Sequence, residues 1–252
     1  MQTDSLLKIE NLCINIGRQK VLHNINLQAK KGRILGIVGE SGSGKSTLCR
    51  AIMQQLPPSF QQTDGNILFN YYPLTKESTH IGTTITSILQ NPMLSFDTIQ
   101  TIEGHFFETL KAHRKMDPIQ MRQLTEQSLK KVQLFDTQRI LKSYPFELSG
   151  GMLQRIMIAL ALLLKPQLVI ADEPTTALDM VTQHNILALL RTLQNQEQLT
   201  MLLITHDLGV IAALADDVAV IYKGEVIEYT DVYTCFDSPK HPHTQLLLEA
   251  RL

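Results

Sequence analysis

Residues 39–47 read Gly39-Glu40-Ser41-Gly42-Ser43-Gly44-Lys45-Ser46-Thr47. The stretch is a full match to G-x-x-x-x-G-K-[ST], a loop whose glycines let backbone N–H groups turn inward toward phosphate oxygens. Its surroundings agree: Ile34 to Val38 form a short apolar run suited to a buried parallel strand, and a helix is expected to open at Lys45. The N-terminus of that helix adds a partial positive charge of roughly half an elementary unit. Lys45 is expected to neutralise the β and γ phosphates of a nucleoside triphosphate, and Ser46 to offer its hydroxyl to Mg2+, which takes oxygen ligands. The competing reading is a glycine turn beside an incidental lysine, and the strand before and helix after it count against that.

Outward from this loop, the chain alternates between two patterns. Upstream, Leu7 and Ile9, then Leu12, Ile14 and Ile16, and again Ile25, Leu27 and Ala29 repeat with the period of half-buried antiparallel strands. Downstream, residues 91–165 turn richer in Gln, Lys and Thr and poorer in β-branched runs, which predicts a helical lobe inserted into the nucleotide-binding core. Two more apolar strands follow, Leu168 to Ala171 and Met201 to Ile204, separated by a helix whose Ile186, Leu189, Leu190 and Leu193 share one face. Val218 to Tyr222 and Val226 to Glu228, joined through Lys223-Gly224-Glu225, read as a hairpin. The fold class expected is α/β, with a mostly parallel sheet covered on both faces. Residues 1–230 are expected to form one nucleotide-binding domain with its helical lobe at about 91–165, and 231–252 a short C-terminal tail.

Bulk composition narrows the class. With 252 residues, 44% of them hydrophobic, the chain can bury one large core, so disorder and fibrous repeats are excluded. Lys and Arg number 23 against 24 Asp and Glu, a balance that offers no broad basic surface for nucleic acid. Cys13, Cys49 and Cys235 are far apart and form no C-x-x-C pair, which suits a reducing cytoplasm. The opening MQTDSLLKIE lacks the basic and apolar regions of a signal peptide, so the mature chain is expected to begin where the sequence does. The most apolar run, Ile156 to Leu164, ends at Lys165-Pro166, short of the roughly 20 residues that span a bilayer.

A second chemical signal is Leu168-Val169-Ile170-Ala171-Asp172-Glu173, an apolar strand ending in adjacent carboxylates. A strand end of this kind delivers an acid to the magnesium edge of a parallel sheet. Asp172 suits the metal, directly or through water, and Glu173 suits a general base polarising the attacking water. By itself the pair could equally cap a helix beginning at Pro174-Thr175-Thr176. The phosphate loop upstream favours the catalytic reading.

Leu148-Ser149-Gly150-Gly151-Met152-Leu153-Gln154-Arg155 resembles the signature segment of ABC ATPases and stands just ahead of the acidic strand. The resemblance implies a P-loop NTPase core with an N-terminal antiparallel β-subdomain and an inserted helical subdomain. It also implies that Ser149, Gly150 and Gly151 of one subunit close over the γ phosphate held by another, sandwiching two ATP. Gln90, in Leu89-Gln90-Asn91-Pro92, is similar to the family glutamine that touches Mg2+ and water. Ala177-Leu178-Asp179 resembles the loop that communicates across the dimer, and His206 the γ-phosphate sensor. Many relatives carry an adenine-stacking aromatic shortly before the phosphate loop; its counterpart here is Ile16, which can cover a purine by apolar contact but has no π surface.

Within the family, the tail Ser238-Pro239-Lys240-His241-Pro242-His243-Thr244-Gln245-Leu246-Leu247, Glu40, and the run Ala171 to Asp179 resemble the peptide and nickel importer ATPases. Tyr144 to Arg155 and Leu214 to Val220 look closer to nickel and metallophore importers. The implied protein is an ATPase motor on the cytoplasmic face of the membrane. Its implied partners are two membrane-spanning permease subunits, a second and different ATPase chain, and, indirectly, an extracytoplasmic substrate-binding protein. A dipeptide or oligopeptide importer ATPase is the alternative. A soluble ABC ATPase on ribosomes or DNA is weaker because the chain has one cassette, no sustained heptads and no basic stripe; a P-loop kinase would have no use for Leu148 to Gln154, and the C-terminal tail and lack of fused spanning helices count against an exporter motor. His241 and His243 near Cys235 and Asp237 invite a metal sensor, but H-x-H with one distant Cys is not a recurrent metal site, and packing is the plainer reading.

Overall fold

A computed structural model describes residues 5–176 and 178–250. The chain opens with β1 (Ser5–Ile16) and β2 (Gln19–Lys30), an antiparallel hairpin turned at Gly17, where φ is +56°. Next, β3 (Ile34–Val38) runs through the glycine loop into α1 (Lys45–Ile52). Three strands follow, β4 (Phe60–Phe69), β5 (Tyr72–Pro73) and β6 (Ile85–Ile88). The helical segment holds α2 (Ile102–His113), α3 (Pro118–Lys131), α4 (Thr137–Lys142) and α5 (Gly150–Leu162). The chain then re-enters the core as β7 (Leu168–Asp172), α6 (Met180–Glu197), β8 (Thr200–Thr205), α7 (Leu208–Leu214), β9 (Asp217–Tyr222) and β10 (Glu225–Asp231). It closes with α8 (Val232–Asp237) and α9 (Pro242–Glu249).

Two sheets result. The first is antiparallel in the order β2-β1-β4-β5, and the second runs β10-β9-β3-β8-β7-β6, with β9, β3, β8, β7 and β6 parallel and β10 antiparallel at the edge. Every residue of β3 is buried because its alternate side chains feed two cores: Leu35 and Ile37 pack with the antiparallel sheet and α1, while Ile34 and Val38 pack with the helices on the other face. β7 divides likewise, Leu168 and Ile170 to one side and Val169 and Ala171 to the other. The guanidinium of Arg33 holds the Asp217 carboxylate through two 3.0 Å bonds, fastening the entrance of β3 to that of β9.

Local chemistry accounts for the helical segment. Asp117 caps α3 through the Ile119 and Gln120 amides, Gln120 returns the bond, and Pro118 takes the first helical position. Ser149 caps α5 through the Met152 amide. The C-terminal segment is not a loose appendage: Val232 and Cys235 are buried in the main core, and Phe236, Leu247 and Leu248 pack against it. Among the described residues, no helix is long and apolar enough to cross a membrane.

Candidate nucleotide site

Four parallel strands deliver their C-terminal ends to one edge of the central sheet. The glycine loop follows β3, Gln90 follows β6, Asp172 and Glu173 end β7, and His206 follows β8. Ligands of open α/β sheets bind at such an edge. A cleft of about 620 Å³ lies there, lined by Gly39 to Gly42, Gly44 to Thr47, Gln90, Asp172, Glu173 and His206, within the size range of small-molecule sites.

The loop's shape depends on its glycines. A Cβ on Gly39 would stand 2.1 Å from the carbonyl oxygen of Ile221, so β9 can approach only a glycine there. Gly44 has φ +108° and leaves the first turn of α1 without a side-chain cap, so the amides at that end point to the cleft unclaimed by a side chain. Lys45 folds its Nζ back onto the loop, donating to the carbonyl oxygens of Gly39 at 2.7 Å and Glu40 at 2.9 Å. Burial lowers the pKa of its ammonium, an effect opposed by the carboxylates of Glu173, Asp172 and Glu40. Asp172 is shifted upward by burial and by the neighbouring Glu173 charge, with Lys45 and Arg50 pulling the other way.

Glu173 occupies the left-handed region at φ +50°. Its Oε1 accepts the backbone N–H of His206 at 3.1 Å and lies 2.7 Å from His206 Nδ1, and its Oε2 accepts the Thr176 hydroxyl at 2.6 Å. With a proton on Nδ1, three of the roughly four acceptor positions of the carboxylate are filled, leaving room for one more donor. The Glu173 side chain is only 14% exposed, whereas that of His206 is 52% exposed.

Ile16 does not line the cleft; Val21 of β2 does, because the β1–β2 register pairs Ile16 with Gln19 at the hairpin turn. Ser43 lies buried beneath the loop and is not part of the lining. Ser149, Gly150, Gly151 and Asp179 also stand away from this cleft. Ser149 and Gly150 are exposed at the start of α5, and Gly151 is packed so that a Cβ would meet Thr182 Cγ2 at 2.7 Å. Asp179 caps α6, accepting the Thr182 amide at 2.9 Å and its hydroxyl at 2.7 Å, bonds that lower its pKa. Ala177 lies outside the described residues.

Sequence reasoning missed Val21, Leu208, Leu247 and Thr176. Thr176 could have been found from its position three residues after Glu173, where a hydroxyl can reach back; Leu247 carried no local signal. Among the described residues, no group of three or more His, Cys, Asp or Glu side chains could hold a metal. His243 instead stacks on Tyr222, and Cys235 is buried. The oxygen donors at the cleft, Ser46, Gln90 and Asp172, fit a Mg2+ that draws its remaining ligands from phosphates and water.

Comparison with known proteins agrees with this geometry. Residues 22–176, well over half of the chain, match the family described as ABC transporter. The oligopeptide transport ATP-binding protein AmiE of Streptococcus pneumoniae is 41% identical over 242 residues, covering 92% of this chain and 68% of that one. The nickel import ATP-binding protein NikD of Brucella abortus is 41% identical over 254 residues, covering 99% and 96%. Among solved structures, cbiO1 of Clostridium perfringens, part of the ABC transporter complex cbiONQ, aligns with a TM-score of 0.82 at 26% identity over 93% of this chain and 92% of that one. With phosphate loop, acidic strand end and histidine gathered at one sheet edge, the chain belongs to the ABC transporter family, as an ATPase of its peptide and nickel importer group.

Proposed function

We propose that this chain uses the cleft to bind and hydrolyse MgATP and so drives uptake of nickel or another chelated transition metal through separate membrane subunits. The observation that carries the reading is the meeting of Lys45, Asp172 and the Glu173–His206 pair in one cleft. Residues 1–230 act as the nucleotide-binding domain, with the helical lobe at 91–165, and 231–252 as its tail. Lys45 leaves the loop carbonyls for the β and γ phosphates, and the amides of Gly42 to Thr47 hold the same oxygens. Ser46, Gln90 and Asp172 would hold Mg2+, which when bound would neutralise developing phosphate charge.

Glu173 is the base. Water attacks the γ phosphorus, its proton passes to a Glu173 oxygen, and the bond from that phosphorus to the bridging oxygen of ADP breaks, releasing ADP and phosphate. His206 and Thr176 orient the carboxylate, and His206 also faces the γ phosphate. Ser149, Gly150, Gly151 and Asp179 act on the cleft of a second ATPase chain, so two ATP molecules are held between two subunits. ATP drives transport only to the extent that it binds the closed pair better than the open one.

The chain works at the cytoplasmic face of the membrane beneath two permease subunits, beside a different ATPase chain and indirectly with an extracytoplasmic binding protein. The likeness to NikD over nearly the whole of both chains supports the metal cargo, and the equal identity to AmiE supports an oligopeptide cargo as the second reading. Purification from detergent-solubilised membranes, followed by reconstitution with the binding protein, tests both. ATP turnover stimulated by nickel or its chelates supports the first reading; stimulation by peptides alone replaces it with the second. Recovery with ribosomes or DNA in place of permeases would overturn both.

A further inference from the structure

We infer that the C-terminal helix α9 is a wall of the nucleotide cleft, with Leu247 contributing apolar contact to the bound nucleotide and His243 holding the helix to the phosphate loop. The inference rests on the ATP reading of the cleft given above. Leu247 lines the same cleft as Lys45 and Glu173, although it comes from the far end of the chain.

The approach of the tail is built by successive bonds. The Glu228 carboxylate on β10 accepts the backbone N–H groups of Lys240 at 2.9 Å and His241 at 3.2 Å, which turns the segment after α8 back toward the sheet. Burial would raise the pKa of that carboxylate, but these amides hold it below its ordinary value. His241 then caps α9, its Nδ1 accepting the His243 amide at 3.0 Å. The His243 ring stacks on Tyr222 at the end of β9, with centroids 3.7 Å apart. Its Nε2 lies 3.6 Å from Glu40 Oε1, beyond hydrogen-bond length, so the stack on Tyr222 seats the ring with its edge against the phosphate loop.

Leu247 stands four residues beyond His243 and therefore on the same face of α9. A helix seated on Tyr222 beside Glu40 thus presents Leu247 to the cleft. With Ile16 outside the lining, the aliphatic side chains that reach the cleft are Val21, Val38, Leu208 and Leu247, and Val38 and Leu208 are themselves buried in the core. Leu247 is the one contributed by the tail, which makes the tail an affinity element of the ATP site.

The test is calorimetric titration of the full chain with ATP and Mg2+, using L247A, L247D, H243A, H243F and K45A. L247D is expected to weaken ATP about tenfold and L247A about threefold, as loss of an apolar contact in a pocket does. H243A is expected to weaken binding, and H243F, which keeps the stack on Tyr222, to recover part of the loss. Because Leu247 also packs partly against the core, L247A should lower the melting temperature without nucleotide slightly, so affinity is compared on fully folded chains at a temperature well below the transition. Parental affinity in both Leu247 variants, with binding abolished in K45A, would overturn the role of α9 and leave the ATP cleft standing. Parental affinity in K45A would overturn the cleft reading and this inference together.

Discussion

At the residue scale, Glu173 is the proposed base, and its backbone shows what its placement costs. A non-glycine residue at φ +50° costs about 1–3 kcal/mol, and the turn it makes brings the carboxylate onto His206 and Thr176. Glu173→Gln keeps the shape and one acceptor oxygen but removes the proton-accepting charge. ATP binding should remain near parental while hydrolysis falls by about 10²–10⁴-fold. Unchanged turnover in an ATPase assay would remove Glu173 as the base. The thiols give a separate test. Burial pushes Cys49 up to about 12 and Cys235 up to about 11, whereas Cys13, within β1, is only half-buried. A thiol reagent at pH 8 should label one cysteine per folded chain, Cys13, and three after denaturation, as counted by mass spectrometry. Rapid labelling of Cys49 in the folded chain would show that α1 opens locally beneath the phosphate loop.

Elements decide how tightly the site is held, and here close backbone approach matters more than capping. Gly39→Ala puts a Cβ 2.1 Å from the Ile221 carbonyl, so β9 must shift; overpacking of this kind costs about 1–3 kcal/mol. Ser149→Ala loses only the cap of α5, about 1 kcal/mol. Urea unfolding without nucleotide should rank Gly39→Ala as the more damaging change; the reverse order would mean that the loop and β9 separate easily. The same contrast explains what the sequence could disclose. β3, the loop and α1 were legible because their pattern is contiguous, and β7 because an apolar run ends in two acids. β4 was not: Phe60-Gln61-Gln62-Thr63-Asp64-Gly65 is polar, Gly65 sits at φ +83°, and the strand is defined by pairing with β1 far back in the chain. β6 is four residues long and gives no measurable period. Ile16 and Val21 were indistinguishable until the hairpin register put one at the turn and the other on the cleft. Leu247 reached the site through bonds to Glu228 that no spacing encodes.

At the scale of the whole molecule, the question is which cleft the start of α5 serves. Ser149 and Gly150 are exposed and stand away from the cleft of their own chain, and beyond the Asp179 cap the first helical residues of α6, Met180 and Val181, are 87% and 72% exposed. Two uncovered apolar side chains beside an uncovered glycine-led helix start form a surface suited to a partner subunit. If that partner is the second ATPase chain, Ser149→Arg places a bulky cation where the partner's nucleotide closes and leaves the chain's own cleft unaltered. The isolated variant should then bind ATP with parental affinity, while turnover in the assembled transporter falls by about 10²-fold or more, as when a transition-state contact is lost. Titration of the isolated chain decides between the two geometries. Weakened ATP binding in the lone Ser149→Arg chain would mean that α5 acts on its own cleft, because no second subunit is present to transmit the change.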